Sequence, residues 1–96
     1  MTDEQLRRSL QSIGMACFVK YFPQFSDETM SNEDLIELLM REENYMESGC
    51  TTRVTQARRI IARERAVDAL LIVASSAGVP GEVSTAASTL ALNLQQ

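Results

Sequence analysis

The chain has 96 residues, 45% of them hydrophobic, with a net charge of −4 and no histidine. This length suits one domain with a modest core, and this apolar fraction excludes a chain that is disordered throughout. The absence of histidine removes the commonest metal ligand and the commonest acid–base group near neutral pH. Because the sequence also contains no nucleophile–base pair and no glycine-rich phosphate loop, we expect no metal, no cofactor and no enzymatic activity.

The two cysteines, Cys17 and Cys50, lie far apart in the sequence and have no spacing typical of a zinc site or a redox motif. The longest apolar run, 69–74, is far shorter than the ~20 residues that a membrane span needs. The first ten residues are acidic and then basic, without the apolar run of a signal peptide. We therefore expect a cytoplasmic protein with reduced thiols and no membrane association.

The first helix is predicted from about Asp3 to Phe22. Thr2 and Gln5 have capping-box spacing at its start. Apolar residues then recur every three or four positions and form one face. That face consists of Leu6, Leu10, Ile13, Cys17 and Tyr21. Gly14 costs about 1 kcal/mol relative to alanine inside a helix, so the helix could break there. The segment should end before Pro23, because the residue preceding a proline avoids helical backbone angles.

A loop over 24–30, anchored by Phe25, is predicted to precede a second helix with Ser31 as its N-cap. Acidic residues in the first turn favour that end of the helix electrostatically. Four apolar residues are expected to form its buried face: Leu35, Ile36, Leu39 and Met40. On the exposed side, Glu37 and Arg41 have the spacing of an ion pair across one turn.

The polar segment Glu42–Gly49 is predicted to connect the second helix to a third, with Tyr45 and Met46 pointing inward. The third helix should begin near Thr51 or Thr52. Its expected apolar face consists of Val54, Ala57, Ile60 and Ile61.

The apolar positions shift phase around Arg63–Arg65, which predicts a bend or a change of helix there. The segment Gly78–Gly81 is predicted to end the preceding helix and to form a turn. The last helix is expected over about Glu82–Leu94, where a face of small apolar residues could close the bundle or form a homodimer. Five helices with short connections predict an all-α fold, a compact bundle in a single helical domain over 1–96.

Residues 51–65 hold five of the nine basic residues against one acid, Glu64, whereas the preceding fifty residues carry ten acids and four bases. A short helix rich in arginine and threonine, in an otherwise acidic domain, is typical of a helix that faces nucleic acid. A helical wheel places its polar side chains opposite or beside the apolar face. The predicted nucleic-acid-binding residues are therefore Thr52, Arg53, Thr55, Gln56, Arg58, Arg59 and Arg63.

These residue types match the chemistry of DNA recognition. Arginine binds guanine edges bidentately, glutamine does the same for adenine, and threonine contacts phosphates or thymine methyl groups. The backbone N–H groups at the helix start, near Thr51 and Thr52, would offer donors to a phosphate. Arg53 and Arg58, on the two flanks, would set the register on the DNA backbone.

The helix at 32–41, the connector and the stretch CTTRVTQARRII resemble the helix-turn-helix class of DNA-binding domains. The second helix is most similar to the recognition helix of the fourth region of bacterial sigma factors and related response regulators. The residues that carry this resemblance are Thr52, Arg53, Val54, Ala57 and Arg58. The predicted connector is longer than the three or four residues of a tight motif. The resemblance implies a small transcription regulator that places helix 51–65 in the major groove of double-stranded DNA, with a homodimer suited to a palindromic site.

Two other interpretations stay open. The arginines could form an ordinary solvated face that neutralises the acidic helices beside it. The chain could also be a protein–protein interaction module, an adaptor or inhibitor, that uses an acidic or an aromatic surface. The acidic segments are Asp27-Glu28, Glu33-Asp34 and Glu42-Glu43. The aromatic cluster, for which core packing is the simpler role, consists of Phe18, Tyr21, Phe22 and Phe25.

Overall fold

Seven helices and no strand make up the computed structural model, which describes residues 1–96. The helices are α1 (Asp3–Ile13), α2 (Met15–Lys20), α3 (Phe22–Phe25), α4 (Asn32–Glu43), α5 (Glu47–Ala62), α6 (Ala66–Ser75) and α7 (Gly81–Leu94). The all-α prediction is confirmed. There are seven helices instead of the predicted five for two reasons: the first predicted helix is divided into α1 and α2, and a further helical turn, α3, forms where the helix was predicted to end before Pro23 and the loop over 24–30 to begin.

The division of this N-terminal segment begins at Gly14. Its φ of 89° lies in a region that residues with a Cβ rarely adopt. The Gly14 N–H still closes α1, because it donates to the Leu10 carbonyl at 2.8 Å. Pro23 lies in the first turn of α3, a position where proline is tolerated since the N–H there has no partner in the helix. The prediction of one helix from Asp3 to Phe22 is therefore wrong after α1.

Both predicted N-caps are confirmed. The Thr2 hydroxyl accepts from the Gln5 N–H at 3.2 Å, and the Gln5 side-chain oxygen accepts from the Thr2 N–H at 2.9 Å. The Ser31 hydroxyl accepts from the Asp34 N–H at 3.1 Å at the start of α4. Each cap satisfies backbone donors that the first turn leaves free.

The connection between α4 and α5 is much shorter than predicted. It comprises three residues, Asn44–Met46, instead of the expected Glu42–Gly49. Asn44 adopts the left-handed conformation, with φ of 58°, which asparagine tolerates better than most residues at a helix C-terminus. Met46 is 80% exposed, so the prediction that it points inward is wrong.

Helix α5 begins at Glu47, before the predicted start at Thr51 or Thr52. Cys50, in the first turn, is fully buried in the core. Packing of this turn stabilises helical structure in a stretch whose serine, glycine and threonines are poor helix formers on their own. The predicted position of the helix start is therefore wrong by about one turn.

Two details of α4 also differ from the prediction. Met40 is 39% exposed, because it lies about 100° around the helix from the fully buried Leu39. The only carboxylate within 4.0 Å of the Arg41 side chain is that of Glu42, at 3.9 Å, and no Glu37–Arg41 pair forms. The rest of the buried face includes Leu35, as predicted.

The predicted change of helix near residues 63–65 is confirmed. Helix α5 ends at Ala62, Glu64 takes a positive φ of 59°, and the Arg65 N–H reaches back to the Ile60 carbonyl at 3.0 Å. Helix α6 follows, and α6 packs closely against α7. The last helix begins at Gly81, next to the predicted Glu82.

The aromatic cluster lies in the core, so it provides no binding surface. Phe18, Tyr21, Phe22 and Phe25 are all buried. The rings of Phe18 and Phe22 meet edge to face with their centres 5.4 Å apart, a favourable geometry for aromatic pairs.

Both cysteines are buried and unpaired. Burial raises the pKa of the Cys17 thiol to about 11 and also raises the pKa of Cys50. None of the seven helices is both long and apolar enough to cross a bilayer.

Candidate nucleic-acid interface

Helix α5 packs against α1 on one side and α4 on the other. Its inner face is formed by Cys50, Val54, Ala57 and Ile60, all fully buried. The outer residues are exposed and recur at intervals of three or four, so they form one continuous line along the helix. We call this line the exposed strip; it consists of Thr52, Thr55, Arg59 and Arg63.

The side chains of two of the predicted arginines, Arg59 and Arg63, make no hydrogen bond and no ion pair within the chain. The arginine contacts that do form belong to Arg8, Arg41, Arg53, Arg58 and Arg65. Because Arg59 and Arg63 have no internal partner, their guanidinium groups are free to bind an anion without breaking a contact of the fold.

Arg53 is half-buried on the flank of α5. Its guanidinium carbon lies 3.9 Å from the centre of the Tyr45 ring, a cation–π geometry. Its Nη1 donates to the Gly49 carbonyl at 3.3 Å, and its Nε is buried without an acceptor. An added Cβ at Gly49 would lie 3.0 Å from Nη1, so the glycine makes room for this side chain. The structure thus uses Arg53 to join the α4–α5 connector to α5.

Arg58, on the opposite flank, is also half-buried. Its Nη2 donates to the Asp27 carbonyl at 2.9 Å, which ties the loop before α4 to α5. The side chain lies beside Phe25, Glu28 and Ile61. Arg58 therefore faces the α3 side of the molecule and not the exposed strip.

Arg65, just beyond α5, is fully engaged inside the fold. It forms ion pairs with Asp3 at 2.6 Å and Asp68 at 2.7 Å, and it donates to the Met1 carbonyl. The hydrogen bonds to Asp3 and Asp68 raise the pKa of this guanidinium further. Arg65 fastens the N-terminus to the α5–α6 junction.

Gln56 is half-buried between α5 and α1. Its side-chain oxygen accepts from the Ser9 hydroxyl at 2.9 Å. Its amide NH₂ makes no hydrogen bond within the chain, so the group keeps two donors available.

The phosphate site predicted at the backbone of Thr51 and Thr52 does not form, because both residues lie past the first turn of α5. Their hydroxyls donate back to the carbonyls of Glu47 and Ser48, at 3.0 and 3.2 Å. The first turn instead carries the acidic side chain of Glu47.

The charges around α5 are unevenly distributed. Arg59 and Arg63 face α1, where they line a cleft. Acidic side chains are concentrated on and just before α4: the exposed ones include Glu28, Glu33, Asp34 and Glu37. The positive surface of α5 is therefore the one on the α1 side.

Glu43, at the end of α4, is already paired. It accepts from Lys20 Nζ at 2.7 Å and from the Tyr21 hydroxyl at 2.8 Å. These two hydrogen bonds hold the pKa of Glu43 below its usual range, and the bond from Lys20 contributes more than that from Tyr21. This network joins α2 to α4, and it leaves one acid fewer to repel an anion.

Sequence reasoning did not find the contribution of α1 to this surface. Gln5, Arg8 and Ser9 lie beside Arg59 and Arg63 although about fifty residues separate them in the chain. No local pattern signals this proximity, because in the sequence Arg8 has only the i,i+4 spacing of an ion-pair partner of Glu4.

No group of three or more Cys, Asp or Glu side chains is placed to hold a metal ion. Comparisons with protein families, with curated proteins and with solved structures give no match for this chain.

Proposed function

We propose that this chain is a DNA-binding domain of the helix-turn-helix kind that acts in transcription regulation and presents α5 to the major groove of double-stranded DNA. The observation that carries the proposal is the exposed strip, which ends in two unpaired arginines. Arg53, Arg58 and Arg65 are bound within the fold, whereas Arg59 and Arg63 are not. Unpaired guanidinium groups can neutralise phosphates and release counterions without a loss of internal contacts.

The α4–α5 unit supports the same proposal. Its connector of three residues, Asn44–Met46, falls within the length typical of a helix-turn-helix. Helix α4 packs against α5, as the supporting helix of such a unit does. Helix α5 spans 16 residues and exposes one side along its length.

The proposed roles differ along α5. Thr52 and Thr55, in its N-terminal half, suit contacts with base edges or nearby phosphates. Arg59 and Arg63, in its C-terminal half, suit phosphates or guanine, and Gln56 offers its amide donors beside them. Arg53 and Arg58 would act on DNA only indirectly, through the position of α5.

The proposal is tested by fluorescence anisotropy of a labelled mixed-sequence duplex titrated with the protein at several salt concentrations. We expect affinity that falls steeply with salt, and an Arg59→Gln/Arg63→Gln variant with much weaker binding and a salt slope smaller by about two. The matched control is Arg7→Gln/Arg41→Gln, which removes the same charge from exposed arginines outside the strip. Equal affinities of the two double variants would contradict the proposal, as would an absence of binding at low salt.

A second candidate function is a protein–protein interaction module that uses the acidic surface. The observation in its favour is that four exposed acids on and just before α4 have no ion-pair partner: Glu28, Glu33, Asp34 and Glu37. A basic protein that co-purifies with the wild-type chain, and not with Glu33→Gln/Asp34→Asn, would support this candidate if duplex DNA does not bind.

A further inference from the structure

A cleft of about 400 Å³ lies between α1 and the C-terminal half of α5. It is lined by Met1, Gln5, Arg8, Ser9, Arg59 and Arg63. Three of these six residues are arginines, and none is acidic. In a chain with a net charge of −4, a third of the basic residues therefore surround one cleft.

The three guanidinium groups are available to a ligand. Arg59 and Arg63 have no internal partner. Arg8 pairs only with Glu4, at 2.7 Å, and the two side chains are 74% and 75% exposed. Exposed ion pairs of this kind contribute little to stability, so an incoming anion can replace the Glu4 carboxylate.

Two polar groups complete the lining. The Gln5 side-chain oxygen is occupied by the capping box, which leaves its NH₂ as a donor. The Ser9 hydroxyl donates to Gln56 and so fixes the spacing between α1 and α5. Both walls of the cleft are therefore positioned before a ligand arrives.

We propose that this cleft binds a phosphate group through Arg8 of α1 together with Arg59 and Arg63 of α5. Guanidinium groups match the geometry of phosphate oxygens and bind them bidentately, and the absence of a lining acid favours a charged oxyanion. The inference rests on the proposed function: the phosphate belongs to the DNA backbone beside the groove that α5 enters. Helix α1 is then a second DNA-binding element outside the α4–α5 unit.

The neighbouring Arg7 provides a matched control. It carries the same charge on the same helix, is likewise exposed, and lies about 100° around the helix axis from Arg8. It lines a different depression, together with Asp3, Arg65 and Asp68. Replacement of Arg7 or of Arg8 therefore changes the net charge equally, and only the second replacement removes a group from the cleft.

The experiment compares duplex binding by Arg8→Gln, Arg7→Gln and Glu4→Gln, with the unfolding of each variant measured as a check on folding. We expect Arg8→Gln to weaken binding about tenfold at low salt and to lower the salt slope by about one, as the loss of one phosphate contact does. Arg7→Gln should bind like the wild type, and Glu4→Gln should bind more tightly. Equal effects of Arg7→Gln and Arg8→Gln on duplex affinity would overturn the proposal that the cleft binds a phosphate, while leaving α5 as the proposed DNA-binding helix.

A second measurement separates the two proposals if the wild type binds no duplex. Inorganic phosphate and ATP are titrated into ¹⁵N-labelled protein, and amide shifts are followed. Shifts confined to the cleft in the wild type, and lost in Arg8→Gln, would support a phosphate site for a free ligand and overturn its assignment to DNA. No shift with phosphate, ATP or duplex would overturn the site altogether.

Discussion

The hydroxyl of Ser9 donates a hydrogen bond of 2.9 Å to the side-chain oxygen of Gln56, and so joins α1 to α5 across 47 residues of sequence. Ser9 is the single polar residue among the buried ones, 7% exposed. The bond joins the two walls of the cleft, and it directs the free NH₂ of Gln56 away from Ser9. Ser9 is therefore a positioning residue for the proposed interface.

We expect Ser9→Ala to lower the free energy of unfolding by about 1 kcal/mol, the usual net contribution of one hydrogen bond. Urea denaturation followed by circular dichroism measures this change. Ser12→Ala is the control, because Ser12 lies on the same helix but is exposed. Equal stability of Ser9→Ala and the wild type would mean that the bond does not hold α1 to α5.

The adjacent Arg58 and Arg59 should separate stability from DNA binding. Arg58→Gln removes the hydrogen bond to the Asp27 carbonyl, so we expect a loss of about 1 kcal/mol in stability and an unchanged salt slope. Arg59→Gln removes no internal contact, so it should keep its stability and lose duplex affinity. Denaturation and anisotropy on the same two variants test both statements. A loss of stability in Arg59→Gln together with a loss of duplex affinity in Arg58→Gln would contradict the assignment.

Gly14→Ala should destabilise the protein because Gly14 has a φ of 89°. A side chain in such a sparsely populated conformation costs about 1–3 kcal/mol. Gly78 is the control, since its φ is not positive and nothing lies within 4 Å of an added Cβ. Thermal unfolding of the two variants measures the difference, and a Gly14→Ala variant as stable as Gly78→Ala would show that the α1–α2 break tolerates a side chain.

Glu43 should make the fold sensitive to acid. Hydrogen bonds from Lys20 and Tyr21 keep the pKa of Glu43 lower in the folded protein than in the unfolded chain. Its contribution to stability is therefore fully present above the unfolded value, about 4.3, and is lost as the pH falls through the lower folded value. We expect Glu43→Gln to flatten the loss of stability below about pH 5, and Tyr21→Phe to flatten it less. If the stability of Glu43→Gln depended on pH in the same way as that of the wild type, Glu43 would not be the source of the acid sensitivity.

Much of the fold follows from local signals. Several predicted features depend only on residues a few positions away in the sequence. They are the N-caps Thr2 and Ser31, the break at Gly14 and the change of helix at residues 63–65. The start of α5 was missed because Ser48, Gly49 and two threonines favour a loop locally, while burial of Cys50 in the core overrides that preference.

The candidate site was harder to predict for the same reason. The helical wheel places Arg53 and Arg58 on the flanks of the helix, but nothing near them in the sequence identifies the groups that they contact. Their partners are the Tyr45 ring in the connector and the Asp27 carbonyl in the α3–α4 loop, and only the tertiary structure brings these groups to α5. The cleft likewise depends on tertiary packing, since Arg8 precedes Arg59 and Arg63 by about fifty residues in the sequence.

The most direct test of the central claim is the ¹H–¹⁵N correlation spectrum of the labelled protein during a titration with duplex DNA. The account predicts that the largest amide shifts occur along the exposed strip, at Thr52, Thr55, Arg59 and Arg63, and at Arg8 on α1, while α7 and the acidic residues of α4 stay unchanged. Shifts centred on α4 or α7, or a spectrum that does not change at low salt, would contradict the claim that this protein binds DNA through α5.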